Sequence, residues 1–79
     1  MIIEPNAKTG DRVVLRDGGV DEIGTVVEVI RDDTWGGGYK ICVRYDSSPR
    51  GSGWDAAISS QHAQRYLRAD PRVRGKRGP

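Results

Sequence analysis

The sequence predicts an all-β fold with five short strands and one short helical turn before the last strand. Three observations lead to this prediction. Apolar and polar residues alternate with a period of two rather than 3.6, as in the run from Tyr39 to Tyr45. The segment from Ile23 to Arg31 is β-branched almost throughout, which favours a strand. Glycine-containing turns separate these runs.

The length of 79 residues allows one domain, and a domain this small buries only about 60% of its unfolded surface. We expect residues 1–69 to form that domain. Residues 70–79 are predicted to be a basic, disordered tail, because they contain too few apolar residues to fold. Self-association would support such a small core. The single cysteine, Cys42, excludes an internal disulfide.

The first two strands are predicted to form a hairpin. In GDRVVLRDGG, Val13 and Leu15 share one face, and Gly18-Gly19 ends the run. Strand two, IGTVVEVIR, is apolar on both faces. Strict alternation therefore leaves at least two branched apolar side chains pointing outward, whichever face is inside.

Three further strands complete the predicted sheet. Strand three alternates inward Tyr39, Ile41, Val43 and Tyr45 with outward Lys40, Cys42, Arg44 and Asp46. In strand four, WDAAISS, the residues Trp54, Ala56 and Ile58 share a face. The segment SSQHAQRYLR fits either a helix with Ser60 as its N-cap, or one helical turn over Ser60 to Ala63 and a strand from Arg65 to Arg68. We favour the second, because isolated helices this short are marginal and a four-strand sheet needs a fifth strand in order to close into a barrel.

This pattern resembles the SH3-like barrels, in particular their KOW and Tudor-type members. TGDRVVLRDGGVDEIGTVVEV is similar to the first hairpin of such modules, and YKICVRYDSS followed by a tryptophan is similar to their third and fourth strands. The resemblance covers about residues 8–68 and implies a five-stranded SH3-like barrel. Tudor-type members use aromatic residues at one rim as a cage for methylated cations.

A weaker resemblance is to the plasmid-borne type II dihydrofolate reductases, which are tetramers of small SH3-like chains. GDRV, GYKI and AQRYL fall at comparable spacing. The catalytic Val-Gln-Ile-Tyr segment of that family would lie near Trp54 to Ala57, which reads WDAA, and its pore lysine would fall near Leu15. The resemblance therefore implies assembly of several chains without reductase activity.

No catalytic or metal-binding motif is recognisable, so we expect no enzymatic activity, no cofactor and no metal. His62 is the only histidine, and a general base needs an oriented partner within hydrogen-bond reach. Cys42 lies between Lys40 and Arg44 and is either a reactive thiol or, as we favour, a small residue at an interface. One histidine and one cysteine do not supply the clustered ligands of a zinc site.

Three aromatic residues, Trp35, Tyr45 and Trp54, form the predicted partner-binding site. Trp35 lies in the turn between strands two and three, Tyr45 ends strand three, and Trp54 begins strand four. Loops of an SH3-like barrel converge at one rim, so two or three of these side chains could meet there. Trp35 is the aromatic residue least easily absorbed into the core, because DDT and GGG flank it.

A separate self-association surface is predicted on the outer faces of strands two and three, near Val26, Ile30 and Cys42. Burying exposed branched side chains between copies would stabilise a homo-oligomer. The competing expectation is that a loop or the C-terminal segment covers this face within one chain.

The formal net charge of +2 is unevenly distributed. Residues 1–69 contain nine basic and ten acidic residues, whereas residues 70–79 contain four basic residues and one acidic residue. The four basic residues of the tail are Arg72, Arg74, Lys76 and Arg77. Either they contact phosphate without sequence selectivity or, as we favour, they belong to a solvated terminus that binds nothing. The near-neutral body favours a protein partner over nucleic acid.

These observations predict a non-enzymatic module that binds a protein or peptide and self-associates. The alternative is a nucleic-acid-associated module that uses the basic tail and stacks bases on Trp35 or Trp54. An accessory protein of a mobile element would fit the small size. The absence of a signal sequence and of an apolar run of about 18 residues predicts a cytoplasmic protein without a membrane partner.

Overall fold

The computed structural model describes residues 1–49 and 51–74, which form one antiparallel sheet and two short helices. The elements are β1 (Arg12–Asp17), β2 (Val20–Arg31), β3 (Tyr39–Tyr45), β4 (Ala56–Ser59), α1 (Ser60–Tyr66), β5 (Leu67–Ala69) and α2 (Pro71–Arg74). The strand order is β4-β3-β2-β1-β5, and within the described residues the two edge strands do not pair with each other. The sheet is therefore open, and the predicted closure into a barrel is not observed among the described residues. The predicted all-β fold of five strands, with a short helix before the last one, is confirmed.

The β1–β2 hairpin closes through the two-residue turn Gly18-Gly19. Asp17 pairs with Val20, and the two glycines have φ angles of 59° and 88°. A hairpin turn of this length needs positive φ at both central positions, which glycine adopts without strain. Because pairing continues to the turn, β2 begins at Val20, before the predicted start at Ile23.

A β-bulge in β2 changes the alternation that the sequence predicts. The register against β3 shifts between Val26 and Glu28, so Val27 is the extra residue. Alternation is therefore in opposite phase on the two sides of the bulge. Val26 is fully buried, and Val29 packs against the same core, whereas Ile30 is exposed. The expectation that Val26 and Ile30 share a face is wrong for this physical reason.

The core lies between the sheet and helix α1. Its buried members come from β1, β2, β3, α1 and β5, and they are Val13, Leu15, Val26, Ile41, Val43, Ala63 and Leu67. The predicted shared face of Val13 and Leu15, and the inward Ile41 and Val43, are confirmed. Because the core consists of only these few side chains, truncating any one of them should lower the free energy of unfolding substantially.

Helix α1 begins at Ser60, where the favoured prediction starts its helical turn, and its N-cap is Ser59 rather than the Ser60 of the alternative prediction. The Ser59 hydroxyl accepts a hydrogen bond of 3.1 Å from the backbone N–H of His62, which satisfies one of the first N–H groups of the helix. Ser60 is the first helical residue and is 1% exposed, with its hydroxyl directed at the carbonyl oxygen of Gly36 at 3.4 Å. The helix thereby contacts the β2–β3 connection.

The helix is longer than the single turn predicted over Ser60 to Ala63. It spans seven residues, and the last strand is Leu67–Ala69 rather than the predicted Arg65 to Arg68. Ala63 and Leu67 are four residues apart and both are buried in the core. Leu67 is the C-cap of the helix, has extended backbone and pairs with Leu15, so the helix continues up to the residue at which β5 joins the sheet.

The N-terminal segment packs across helix α1 and the β2–β3 connection. The side-chain amide of Asn6 donates hydrogen bonds to the carbonyl oxygens of Ala63 (3.1 Å) and Leu67 (2.8 Å). The backbone N–H of Ile3 donates to the carbonyl oxygen of Gly37 at 2.8 Å. These contacts join two distant parts of the chain, and nothing in the local sequence indicates them.

The start of the predicted tail is ordered. The Asp70 N–H donates to the carbonyl oxygen of Arg12, and the Asp70 side chain is 2% exposed. Its carboxylate accepts hydrogen bonds from the backbone N–H and the guanidinium of Arg72, and α2 follows. The boundary predicted at residue 70 is therefore too early. Residues 75–79, which include Lys76 and Arg77, lie outside the described residues.

Candidate partner-binding surface

A turn held by its own backbone positions Trp35. The Asp32 carboxylate accepts hydrogen bonds from the backbone N–H and the hydroxyl of Thr34, at 3.0 and 2.6 Å. These bonds and the cation of Lys40 lower the pKa of Asp32. The N–H of Trp35 donates to the Asp32 carbonyl oxygen, and the N–H of Gly38 donates to the Trp35 carbonyl oxygen. The side chain of Trp35 is therefore presented by a defined loop.

Gly37 allows this loop to lie close to the helix. Its φ angle is 91°, and a Cβ atom there would collide with the hydroxyl of Ser60. Only glycine meets both conditions, since it lacks Cβ and adopts positive φ at low cost. The GGG segment is thus a packing feature of this loop.

Trp54 is presented by the β3–β4 connection, which β3 anchors. The carboxylate of Asp55 accepts hydrogen bonds from the backbone N–H of Tyr45 at 2.8 Å and from the hydroxyl of Ser48 at 2.8 Å. The Arg44 Nε donates to the carbonyl oxygen of Gly53 at 2.9 Å. Trp54 lies between these two anchors, outside β4, and remains 42% exposed.

The two tryptophans meet at Lys40. The Lys40 Nζ lies 5.5 Å from the ring centroid of Trp35 and 5.3 Å from that of Trp54, both within the range of a cation–π contact. Ile30 is the cross-strand partner of Lys40, so its side chain lies on the same face of the sheet. We call Ile30, Trp35, Lys40 and Trp54 the clamp face. Its members come from β2, β3 and two loops.

Tyr45, the third residue of the predicted binding site, lies elsewhere. It packs against the core, and its hydroxyl donates a 2.9 Å hydrogen bond to the carboxylate of Asp17. Burial and the adjacent carboxylate of Asp17 both raise the pKa of Tyr45. The structure therefore brings together two of the three predicted aromatic residues.

The three residues of the predicted self-association surface do not form one exposed surface. Val26 and Cys42 are fully buried, so their expected outward exposure is wrong. Val26 faces the core opposite Val43, before the bulge. Cys42 lies opposite Glu28 and Ala57, and burial raises the pKa of its thiol. Ile30, 36% exposed, remains available and belongs to the clamp face. The self-association prediction itself stays a prediction.

Neither Lys40 nor the N-terminus was predicted to be part of a site. Lys40 carried one signal, because its outward position in strand three lies between the two tryptophans in the chain. The N-terminal residues carried none. Met1 and Ile2, which are exposed, line an open depression of about 420 Å³ with Trp35 and Gly36 to Gly38. The depression therefore connects Trp35 to the N-terminus, and Asp33 and Thr34 also line it.

The other candidate residues show no comparable arrangement. His62 is exposed on α1, and its ring contacts that of Tyr66 with centroids 4.6 Å apart. Within residues 1–49 and 51–74, no three His, Cys, Asp or Glu side chains are grouped so that they could hold a metal ion. Arg72 is paired with Asp70, and Arg74 ends α2.

None of the helices in the described part of the chain has the length and apolar character needed to cross a membrane.

Comparisons with known proteins add no assignment to this geometry. No protein-family model matches the chain, and neither the curated proteins nor the solved structures give a significant match.

Proposed function

We propose that this chain is a non-enzymatic SH3-like module that binds a protein or peptide partner through the clamp face. The observation that carries the proposal is that the Lys40 ammonium lies over the rings of both Trp35 and Trp54, at 5.5 and 5.3 Å from their centroids. Two loops far apart in the chain deliver these side chains to one place.

The SH3-like assignment within this proposal is supported by topology. The strand order β4-β3-β2-β1-β5, with α1 between the two edge strands, is the order of an SH3-like barrel in which the first strand pairs with the last. Fold alone does not define function, so the binding proposal depends on the clamp face.

A partner is favoured by the composition and rigidity of this face. Tryptophan is enriched among residues that dominate binding energy, because it buries a large area and loses little conformational entropy. Trp54 and Ile30 are exposed, while hydrogen bonds of Arg44 and Asp55 hold the loop that carries Trp54. A preorganised apolar surface of this kind loses less entropy on binding than a mobile loop.

Peptide selection tests the proposal. Peptides selected from a random display library against the folded chain should bind the wild type. The dissociation constant should rise about tenfold or more in Trp35→Ala or Trp54→Ala, the loss typical of an interface hot spot. Tyr66→Ala is the matched control, since Tyr66 is an aromatic residue with 41% exposure on α1. Peptides whose affinity falls in the control variant but not in the tryptophan variants would contradict the proposal.

A second candidate function is nucleic-acid binding, favoured by the position of the Lys40 ammonium beside an exposed tryptophan ring. A base could stack on Trp54 while Lys40 and the C-terminal basic residues contact phosphate. Fluorescence anisotropy with a labelled oligothymidine distinguishes the two functions. Affinity that falls steeply with salt, and falls again on deletion of residues 75–79, would favour nucleic acid over a peptide.

A further inference from the structure

The clamp face resembles an aromatic cage for a ligand cation, but Lys40 of the chain itself supplies the cation. In such a cage, two or more rings surround a position that a ligand cation occupies. Here the Nζ of Lys40 lies within 5.5 Å of both tryptophan ring centroids and so occupies that position. The chain therefore supplies its own cation between the rings. A second cation approaching the same place would be repelled by the first.

The Lys40 ammonium has no carboxylate partner among the described residues. The cations of Lys8, Arg12, Arg16, Arg31, Arg68 and Arg72 all form ion pairs. Lys40 instead contacts the two indole rings, and it is only half-buried. The Lys40 cation is close enough to contribute to the lowered pKa of Asp32, but the two side chains form no ion pair in the described part of the chain. Its hydrogen-bond donors therefore remain open to a ligand.

Apolar side chains lie beside this cation. Trp54 and Ile30 are 42% and 36% exposed on the sheet face. Trp35 also borders the depression at the N-terminus, whose lining includes the polar Thr34 and Asp33, and the Asp33 carboxylate pairs with Arg31. A ligand that reaches Lys40 with a negative group can thus bury apolar side chains on the two tryptophans and Ile30.

From these features we propose that the clamp face selects an acidic ligand, namely a peptide segment in which one Asp or Glu carboxylate is flanked by apolar side chains. The carboxylate pairs with the Lys40 ammonium between the two rings, and the flanking side chains pack on Trp35, Trp54 and Ile30. This inference rests on the proposed peptide-binding function and names the chemistry of its ligand. It is the opposite of the methylated cation that an empty aromatic cage accepts.

Three matched peptides test the charge preference. Each carries the sequence Ala-Pro-Leu-X-Leu-Pro-Ala, with glutamate, glutamine or trimethyllysine at X. Tryptophan fluorescence reports binding directly, because the two tryptophans of the chain are both in the clamp face. The glutamate peptide should bind about fivefold to tenfold more tightly than the glutamine peptide, the range expected for a partly exposed charge-assisted contact. The trimethyllysine peptide should bind no better than the glutamine peptide.

Substitutions of Lys40 separate its charge from its packing. Lys40→Met should abolish the preference for glutamate and, by vacating the position between the rings, raise the affinity for the trimethyllysine peptide. Lys40→Arg should retain the preference for glutamate. The control is Lys8→Met, which removes an exposed lysine that pairs with Asp11 and should leave all three affinities unchanged. Circular dichroism checks that each variant is folded.

The outcomes distinguish this inference from the function on which it rests. Equal affinity for the glutamate and glutamine peptides, or tightest binding of the trimethyllysine peptide to the wild type, would overturn the acidic-ligand inference. The proposed function would survive if library-selected peptides still required Trp35 and Trp54. If those peptides did not require the tryptophans, the proposed function and this inference would both fail.

Discussion

Lys40 illustrates how one side chain joins two distant loops. It lies on the outward face of β3, with its alkyl stem beside the sheet and its ammonium between Trp35 and Trp54. Long basic side chains commonly cover apolar surface with the stem while the charge stays solvated. At the residue scale, the clamp face therefore depends on Lys40 as much as on the two aromatic rings.

Tyr45 gives a testable dependence of stability on pH. Burial and Asp17 raise its pKa in the folded chain, so the folded state holds the proton more tightly than the unfolded state. The stabilisation is present below the ordinary tyrosine pKa of about 10 and is lost as the pH rises above it.

Tyr45→Phe should lower the free energy of unfolding at pH 8 by about 0.5 to 1 kcal/mol, the value of one hydrogen bond. Its melting temperature should then fall less than that of the wild type between pH 9.5 and about pH 11. Tyr66→Phe, which removes a hydroxyl from an exposed tyrosine, is the control. Parallel alkaline melting profiles for wild type and Tyr45→Phe would contradict this assignment.

At the scale of elements, the bulge in β2 decides which face each later residue of that strand occupies. The extra residue Val27 returns Val29 to the core and leaves Ile30 outside, opposite Lys40. A bulge costs regular pairing but redirects side chains, and here it places an apolar residue at the edge of the clamp face. The N-terminal segment similarly connects α1 to the β2–β3 loop through Asn6 and Ile3.

Asn6→Ala should detach the N-terminal segment from α1. The substitution removes two hydrogen bonds, to the carbonyl oxygens of Ala63 and Leu67, and should lower the free energy of unfolding by about 1 to 2 kcal/mol. Urea denaturation measures this loss. The control is Thr9→Ala, an exposed residue of the same segment that should change stability little. A midpoint for Asn6→Ala equal to that of the control would show that these bonds contribute nothing.

At the scale of the whole molecule, the predicted partner-binding and self-association surfaces lie on one face. The remaining exposed residue of the self-association set, Ile30, lies beside the tryptophans of the partner-binding set. Self-association through Ile30 would therefore compete with a peptide for the same face. Because Ile30 is 36% exposed, covering the rest of its side chain contributes about 0.5 to 1 kcal/mol, a third of the value for a fully exposed isoleucine.

Sedimentation equilibrium tests assembly of the 8.7 kDa chain. We expect the wild type to form a homo-oligomer and Ile30→Thr to shift the mass toward a single chain, because threonine retains the β-branch while adding a polar group. Val20→Thr is the matched control, since Val20 is an apolar residue of the same strand with 58% exposure at the opposite end. A peptide bound to the clamp face should also dissociate the oligomer. A monomeric wild type, or an equal effect of both variants, would refute assembly through this face.

The sequence by itself determined the strands, their turns and most of the core. Alternation in β1 and β3 is a local property, and so is the Gly18-Gly19 turn, so both could be read directly. Trp35 was also recognisable as a loop residue outside the alternating pattern, whereas Trp54, predicted to begin strand four, lies before β4 in the structure.

Only the tertiary structure decided where those residues meet. The bulge at Val27 depends on how β2 pairs with β3, and an extra residue has no signature in a strand that is apolar on both faces. Contacts between segments far apart in the chain likewise bury Cys42 and pair the hydroxyl of Tyr45 with Asp17. A contact of the same kind holds Asp70 against β1. Periodicity indicates the direction of a side chain relative to its own strand. Whether that side chain is buried, and which other side chains it meets, depends on the segments that the rest of the chain packs against it.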